Sequence, residues 1–387
     1  MQTLSRKGGF TLLCIASLTI MVGSLLAPGL INIAGALGVS NAASWLITLP
    51  SLGAIVFAPF AGRLIDRHGA YRCLIIGLFL YGAIGAAGVL LHGAIPVFAN
   101  RILLGGVTAL VMAGGTVLIS DWYSGRARLR MITQQGMSIE LGGVIFLFLG
   151  GLLATLGWRW PFALYLMSWI FLLMLLAFVP AKSPHLGDAE TRANDHNTAV
   201  PAALKVVYLA ATIAMTVFFT AFIILPSHLH ALTFSEAETG YFLSFISLVA
   251  VGAAMVMPRV SRRLGERNTL ALAFALYAAS HALFYLADSL LTLTLGAILI
   301  GTAFGLSIPL VTHMTVERSH AQYRGRNLSY LTMAIFLGQF MASVMEFLPG
   351  DTTAIFGFAA AVALIFAILL ISSSMLQRLT SIRNIMR

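Results

Sequence analysis

The sequence predicts an all-α membrane protein with twelve transmembrane helices in two pseudo-symmetric six-helix bundles. Three observations lead there. The chain is 59% hydrophobic and only 9% charged over 387 residues, against about 25% charged in a soluble domain. That excludes a water-soluble globule. The apolar residues fall into twelve runs, each long enough to cross a bilayer at about 20 residues per crossing. The basic residues gather in every second gap between those runs, as in a chain that crosses and returns.

The runs lie near residues 11–36, 44–61, 73–91, 95–118, 132–156, 162–180, 205–229, 239–257, 269–287, 290–314, 328–348 and 353–376. They lack apolar/polar alternation, and a helix satisfies every backbone group within its own segment, so helices are expected rather than barrel strands. The basic start followed by the first run imitates a signal peptide, but that run is too long and has no cleavage site, so it reads as the first membrane helix. Cys14 and Cys73 each stand near the start of a run and are expected to be free thiols, since two such residues make no disulfide framework.

A net charge of +10 in a soluble protein would suggest nucleic acid, but here position matters more than sum. The gaps holding Arg6 and Lys7, then Arg63, Arg67 and Arg72, then Arg126, Arg128 and Arg130, begin the series. Lys182, Arg192 and Lys205 come next, followed by Arg259, Arg262, Arg263 and Arg267, by Arg318, Arg324 and Arg326, and by Arg378, Arg383 and Arg387. Together they are 21 of the 23 basic residues. The positive-inside rule makes that face cytoplasmic, with both termini inside and no nucleic-acid partner. Arg159, in an outer gap, and Arg101, within a run, are the exceptions.

The polar stretch 181–204, with Lys182, Asp188, Glu190, Arg192, Asp195 and Pro201, reads as a cytoplasmic linker between bundles at 1–180 and 205–387. The halves match at an offset of 196. Gly69 falls on Gly265, Arg63 on Arg259, Arg67 on Arg263, Gly105 on Gly301, Asp121 on Glu317, Arg128 on Arg324 and Arg130 on Arg326. Parallel six-helix repeats with a mid-membrane site between them are a recurrent transporter architecture.

The segment from Gly62 to Arg72, with Gly62, Asp66, Arg67 and Gly69, resembles the signature loop of the major facilitator superfamily. Ala70 and Tyr71 stand where that family often has a basic pair. Arg101 with Gly105, Asp121-Trp122-Tyr123, Trp158 through Phe162, and Ala27-Pro28-Gly29 through Ser40 extend the likeness to its drug:proton antiporter branch. The resemblance implies a cytoplasmic gate built from Gly62, Asp66, Arg67, Gly69 and Arg72, in which Asp66 caps a helix N-terminus, its own next helix or one from the other half. It also implies a role for Arg101 in proton movement; the plain alternative is an arginine snorkelling to the outer interface. Exporters of the branch carry a Gly-Pro pair before the Gly-Gly pair in the fifth helix. Here Phe146 and Leu147 precede Gly150 and Gly151, which keeps import open.

Glu140 is the only acid deep in a run, roughly 13 Å from its inner boundary at a 1.5 Å rise. An ionised carboxylate there costs about 3 kcal/mol, so it is expected to face a bundle interior or wet cavity. It is the candidate for proton coupling or for holding a cationic substrate group; the plain alternative is a structural carboxylate bonded to hydroxyls. His281 is expected to be a packing histidine, His228 and His230 an interfacial pair near an outer gate, and Glu346 a water-reaching acid. Phe218, Phe219, Phe222, Phe242, Phe245, Phe304, Phe336, Gln339 and Phe340 fall on helices that line the cavity in the family, implying an apolar, aromatic cavity for amphiphilic organic molecules.

No phosphate-binding glycine loop, nucleophile elbow or zinc-ligand spacing occurs, so the chain is expected to be no enzyme, to hold no cofactor or metal, and to draw on an ion gradient. The expectation is a secondary active transporter working by alternating access as a monomer in the bacterial inner membrane. Its partners would be protons, the lipid bilayer and a small-molecule substrate, exported as a drug or an amphiphilic metabolite such as a siderophore. The alternative is an importer or facilitator of an organic acid or other small nutrient.

Overall fold

The computed structural model describes residues 4–123, 125–181, 202–286, 289–319, 324–349 and 352–385. The helices run α1 (Arg6–Ser24), α2 (Leu30–Ala36), α3 (Trp45–His68), α4 (Ala70–Ala87), α5 (Ala94–Trp122), α6 (Gly125–Thr155), α7 (Trp160–Ala163) and α8 (Met167–Phe178). There follow α9 (Ala202–Ala231), α10 (Glu236–Leu264), α11 (Glu266–Tyr285), α12 (Leu290–Glu317), α13 (Arg324–Val344) and α14 (Thr352–Ile385). Among the described residues no strand occurs, and 11 helical segments are long and apolar enough to span a membrane. The protein is an all-α, multi-pass membrane protein. The remaining rod, α11, opens on Glu266, Arg267 and Asn268 and carries His281, which lower its mean hydropathy. It is packed against α12 and α14.

Two departures from the hydropathy pattern have simple causes. The first apolar run is not one helix, because α1 ends at Ser24 and α2 starts at Leu30. Pro28 offers no N–H and disfavours helical backbone in the residue before it. The basic "gaps" are largely helix ends: Arg63 and Arg67 belong to α3, Arg259, Arg262 and Arg263 to α10, and α6 already begins at Gly125. Helices therefore project past the apolar stretch, and the loop of the signature segment shrinks to Gly69. Its φ of 84° lies where a side chain on Cβ is strained. The linker stretch 182–201 lies outside the described residues.

The described chain divides into two compact units, one comprising Met1–Asp195 with Pro226–Ser244 and the other His196–Leu225 with Phe245–Arg387. In the first, α3 lies along α5, α1 along α6, and α4 along α5 and α8. In the second, α11 packs on α14 and α12, and α12 on α13.

The repeat is visible in helix boundaries and in packing. Helices α1 and α9, α4 and α11, and α5 and α12 start 196 residues apart, and α3 and α10 end 196 apart. Gly265 has φ 83°, matching Gly69. Gly105 of α5 lies on the Pro50 carbonyl of α3, and Gly301 of α12 on the Ile246 carbonyl of α10, so both members of that contact repeat at the same offset. Gly142 packs on Ser17 of α1 and Gly338 on the Thr212 carbonyl of α9, the same helix pair in each unit. Without a hydrophobic drive between helices in lipid, close backbone approach through small residues is what holds them together.

This makes a prediction about packing. At Gly105 an added Cβ would run into the Pro50 backbone, whereas nothing lies within 4 Å of one at Gly115. Gly105→Ala is expected to destabilise the protein by about 1–3 kcal/mol through overpacking, read as a lower thermal unfolding midpoint in detergent. Gly115→Ala should leave that midpoint unchanged.

Candidate functional site

The signature segment forms the last turns of α3 and the first of α4. Gly62 is half-buried with no atom within 4 Å of a built Cβ, while Asp66, Arg67, Gly69 and Arg72 are exposed. The α4 N-terminus is capped by Gly69 without any side-chain hydrogen bond. Asp66 lies inside the last turn of α3, three residues before that glycine. Cys73 is buried beneath this turn as a free thiol, its Sγ 3.4 Å from the Leu64 carbonyl.

In the second unit, Phe218 and Phe222 of α9 and Phe304 of α12 form one aromatic cluster. Their ring centroids are 4.7 Å apart for Phe218 and Phe222 and 3.9 Å apart for Phe218 and Phe304, and Phe219 joins at 5.8 Å from each of its two neighbours on α9. The backbone beneath them is held by His281, whose imidazole lies 2.9 Å from the Val217 carbonyl and whose ring is flanked by Phe284 and Phe356. This histidine is fully buried and packs as a support. On α13, Gln339 is buried and Phe336 and Phe340 are half-buried, set beside the face that carries Gly338 against α9. Phe245 is 36% exposed and stands apart from these rings.

In the first unit, Arg101 is 1% exposed. Instead of snorkelling to a boundary, its guanidinium lies over the rings of Phe162 and Tyr165 at 5.4 and 5.7 Å, within cation–π range. Nη1 donates to the Tyr165 hydroxyl at 3.0 Å, while Nε and Nη2 have no hydrogen-bond partner. Gly88 makes room, since a Cβ there would stand 2.9 Å from Nη2. Tyr81, 5.8 Å from Tyr165, donates to the Leu18 carbonyl, tying the cage to α1. Among the described residues no carboxylate pairs with Arg101, so a fixed positive charge is held by ring quadrupoles and one hydroxyl. The sequence hid this cage because its parts come from α5, α7 and the turn before α8, with 64 residues between Arg101 and Tyr165.

Glu140 stands at the midpoint of α6, fifteen residues from each end, half-buried. Among the described residues its carboxylate makes no hydrogen bond or ion pair. The opposite face of α6 is engaged with α1, where Ser138 Oγ donates to the Leu13 carbonyl and Gly142 packs on Ser17. Glu140 shares the face of Val144, whose carbonyl accepts from Ser244 of α10 at 3.1 Å, and of Gly151, which meets Gly240 of α10. Beside Gly151, at the start of α10, Asn32 Nδ2 donates to Glu236 Oε1, with His230 and Pro226 nearby. That contact joins residues 204 apart and had no local signal in the sequence. His228 is half-buried and His230 exposed at the end of α9, and Glu346 is half-buried in the 3-10 turn Met345–Phe347.

The sequence matches the Major Facilitator Superfamily over residues 12–343, which covers most of the chain. The chain belongs to this superfamily. It is 23% identical over 318 residues to multidrug resistance protein 2 of Bacillus subtilis, covering 78% of this chain and 79% of that one. It is 28% identical over 137 residues to the quinolone resistance protein NorB of Staphylococcus aureus, covering 35% of this chain and 29% of that one. The crystal structure of the peptide transporter POT in complex with sulfate superposes with a TM-score of 0.74 over 95% of this chain and 94% of its own, at 16% identity, a likeness of fold. As a member of a transporter superfamily, the chain moves a small molecule across a membrane rather than transforming one.

The Arg101 cage gives a double-mutant test. Tyr165→Phe deletes the one hydrogen bond to a buried guanidinium and should destabilise by about 1.5–3 kcal/mol. In an Arg101→Met background the same change should cost well under half of that, because the hydroxyl then has no charge to serve. Denaturant or thermal unfolding of the four proteins measures both values.

Proposed function

We propose that this chain is a proton-coupled exporter of drugs or an amphiphilic metabolite such as a siderophore, working by alternating access as a monomer. It sits in the bacterial inner membrane with both termini cytoplasmic. The observation that carries the reading is Glu140, a half-buried carboxylate at mid-helix with no partner among the described residues. An ionised acid at bilayer mid-depth costs several kcal/mol and persists where it faces an interior or wet path and exchanges a proton or meets a cation. The relatives named for multidrug and quinolone resistance support drugs as the substrate class. The Phe218, Phe222 and Phe304 cluster supplies the apolar ring surface such molecules stack on. Asp66, Arg67 and Arg72, at the turn centred on Gly69, supply the charged elements of a cytoplasmic gate. Arg101 supplies a fixed positive charge whose two unsatisfied nitrogens favour the anionic form of any group that approaches it.

A second reading, an importer or facilitator of an organic acid or similar nutrient, is favoured by Phe146 and Leu147, both buried within an unbroken α6 where exporters of the branch have a Gly-Pro pair. Accumulation of substrate by intact cells, instead of its exclusion, would select it.

In everted vesicles carrying a pH gradient, adding a quinolone or a lipophilic aromatic cation is expected to dissipate the gradient. Glu140→Gln should abolish that proton movement, with a loss of at least about tenfold in coupled flux. Wild-type proton flux in Glu140→Gln vesicles would overturn coupling through this residue.

A further inference from the structure

A cavity of about 570 Å³ opens at the basic end of the first unit, between the start of α1, the end of α5 and the start of α6. At about 30 Å³ per water it has room for on the order of 19 waters, far more than a single bound ion needs. Its polar lining consists of Arg6, Tyr123, Arg130 and Gln134. Among the described residues none of these four side chains makes a hydrogen bond or ion pair, and no acid lines the cavity.

Neighbouring cations are different. Arg128 Nε and Nη2 donate to the carbonyls of Tyr123 and Ser120 at 2.8 and 2.9 Å, closing the end of α5 and fixing Tyr123 in place. Lys7 lies over the Phe178 ring at 5.5 Å. Gly9 gives Tyr123 its position, since a Cβ there would meet the hydroxyl at 2.9 Å. Burial raises the Tyr123 hydroxyl above its ordinary value, which keeps it a donor. The cavity thus collects two guanidinium groups, a phenol and an amide, rich in donors and, among the described residues, with no carboxylate to meet them. Arg6, Phe10 and Leu13 share one face of α1, and Phe10 is 61% exposed, so an apolar stripe descends from the charged mouth toward the hydrocarbon.

We propose that this cavity is a binding site for the headgroup of an anionic phospholipid, with its phosphate held by Arg6, Arg130 and Tyr123 and its first acyl segment laid along Phe10 and Leu13. Arginine forks suit phosphate oxygens, and basic pockets at a cytoplasmic membrane surface favour anionic headgroups. The apolar stripe and the volume select a lipid over free phosphate. The site is independent of Glu140 and of what the chain transports.

The test uses the full-length protein in phosphatidylcholine nanodiscs with increasing phosphatidylglycerol, with bound lipid counted by native mass spectrometry after gentle release. Wild type is expected to retain phosphatidylglycerol selectively, and R6Q/R130Q to lose at least about tenfold in affinity, the scale of one charged hydrogen bond. K205Q/R262Q removes two charges from the second unit and should retain wild-type affinity; an equal loss there would mean general surface charge and overturn the site. Inorganic phosphate should neither bind measurably nor displace the lipid, and full competition by it would overturn a phospholipid in favour of a small-anion site. Should R6Q/R130Q not fold, Tyr123→Phe decides: a several-fold weaker retention supports the site, and wild-type retention overturns it.

Discussion

The structure depends on backbone-to-backbone approach between helices that have no hydrophobic reason to leave lipid for one another. Lipid tails are as apolar as leucine, so association rests on close packing, and close packing requires that one partner lack a Cβ at the crossing. Gly105 against Pro50, Gly53 against Ile102 and Gly150 against Leu25 meet that need in the first unit, and Gly301 against Ile246, Gly305 against Ala250 and Gly338 against Thr212 in the second. Because the Gly105 crossing recurs as that of Gly301 at the 196-residue offset, the duplicated sequence duplicates a contact and not only spans.

Upon that frame the polar groups are sorted by how they are satisfied. Hydroxyls within the helices mostly return to their own backbone, as Thr108 does to Leu104 and Thr315 to Val311, which neutralises them as features of a site. Tyr81 through its hydroxyl and His281 through Nε2 each reach a carbonyl of another helix and so act as ties, although Nδ1 of His281 has no hydrogen-bond partner. Arg101 and Glu140 remain outside that economy. One is held by aromatic faces with two nitrogens unsatisfied, and the other has no partner among the described residues. Such groups are costly in a bilayer.

The unpaired donors around Arg6 and Arg130 follow the same logic at the membrane boundary. An exposed arginine is ordinarily solvated and carries no information. Two of them with a phenol and an amide around a cavity of about 570 Å³ that no acid lines describe a complementary ligand, and the apolar stripe through Phe10 gives it a tail.

The sequence by itself determined the all-α membrane class, the repeat and the place of Glu140 within an apolar run, because these follow from composition, hydropathy length and spacing, all of which are local or periodic. It also located the signature turn, since Gly69 and its repeat partner Gly265 adopt left-handed backbone that glycine alone enters freely. Tertiary structure alone decided which residues meet. The Tyr165 cage of Arg101, the Asn32 to Glu236 contact and the cavity of Arg6 with Arg130 join residues 64, 204 and about 124 positions apart. No pattern along a chain encodes a meeting set by which helix faces glycine lets come together. For the same reason hydropathy missed the break at Pro28 and read helix ends as loops: it senses how apolar a stretch is, not where its hydrogen bonds stop.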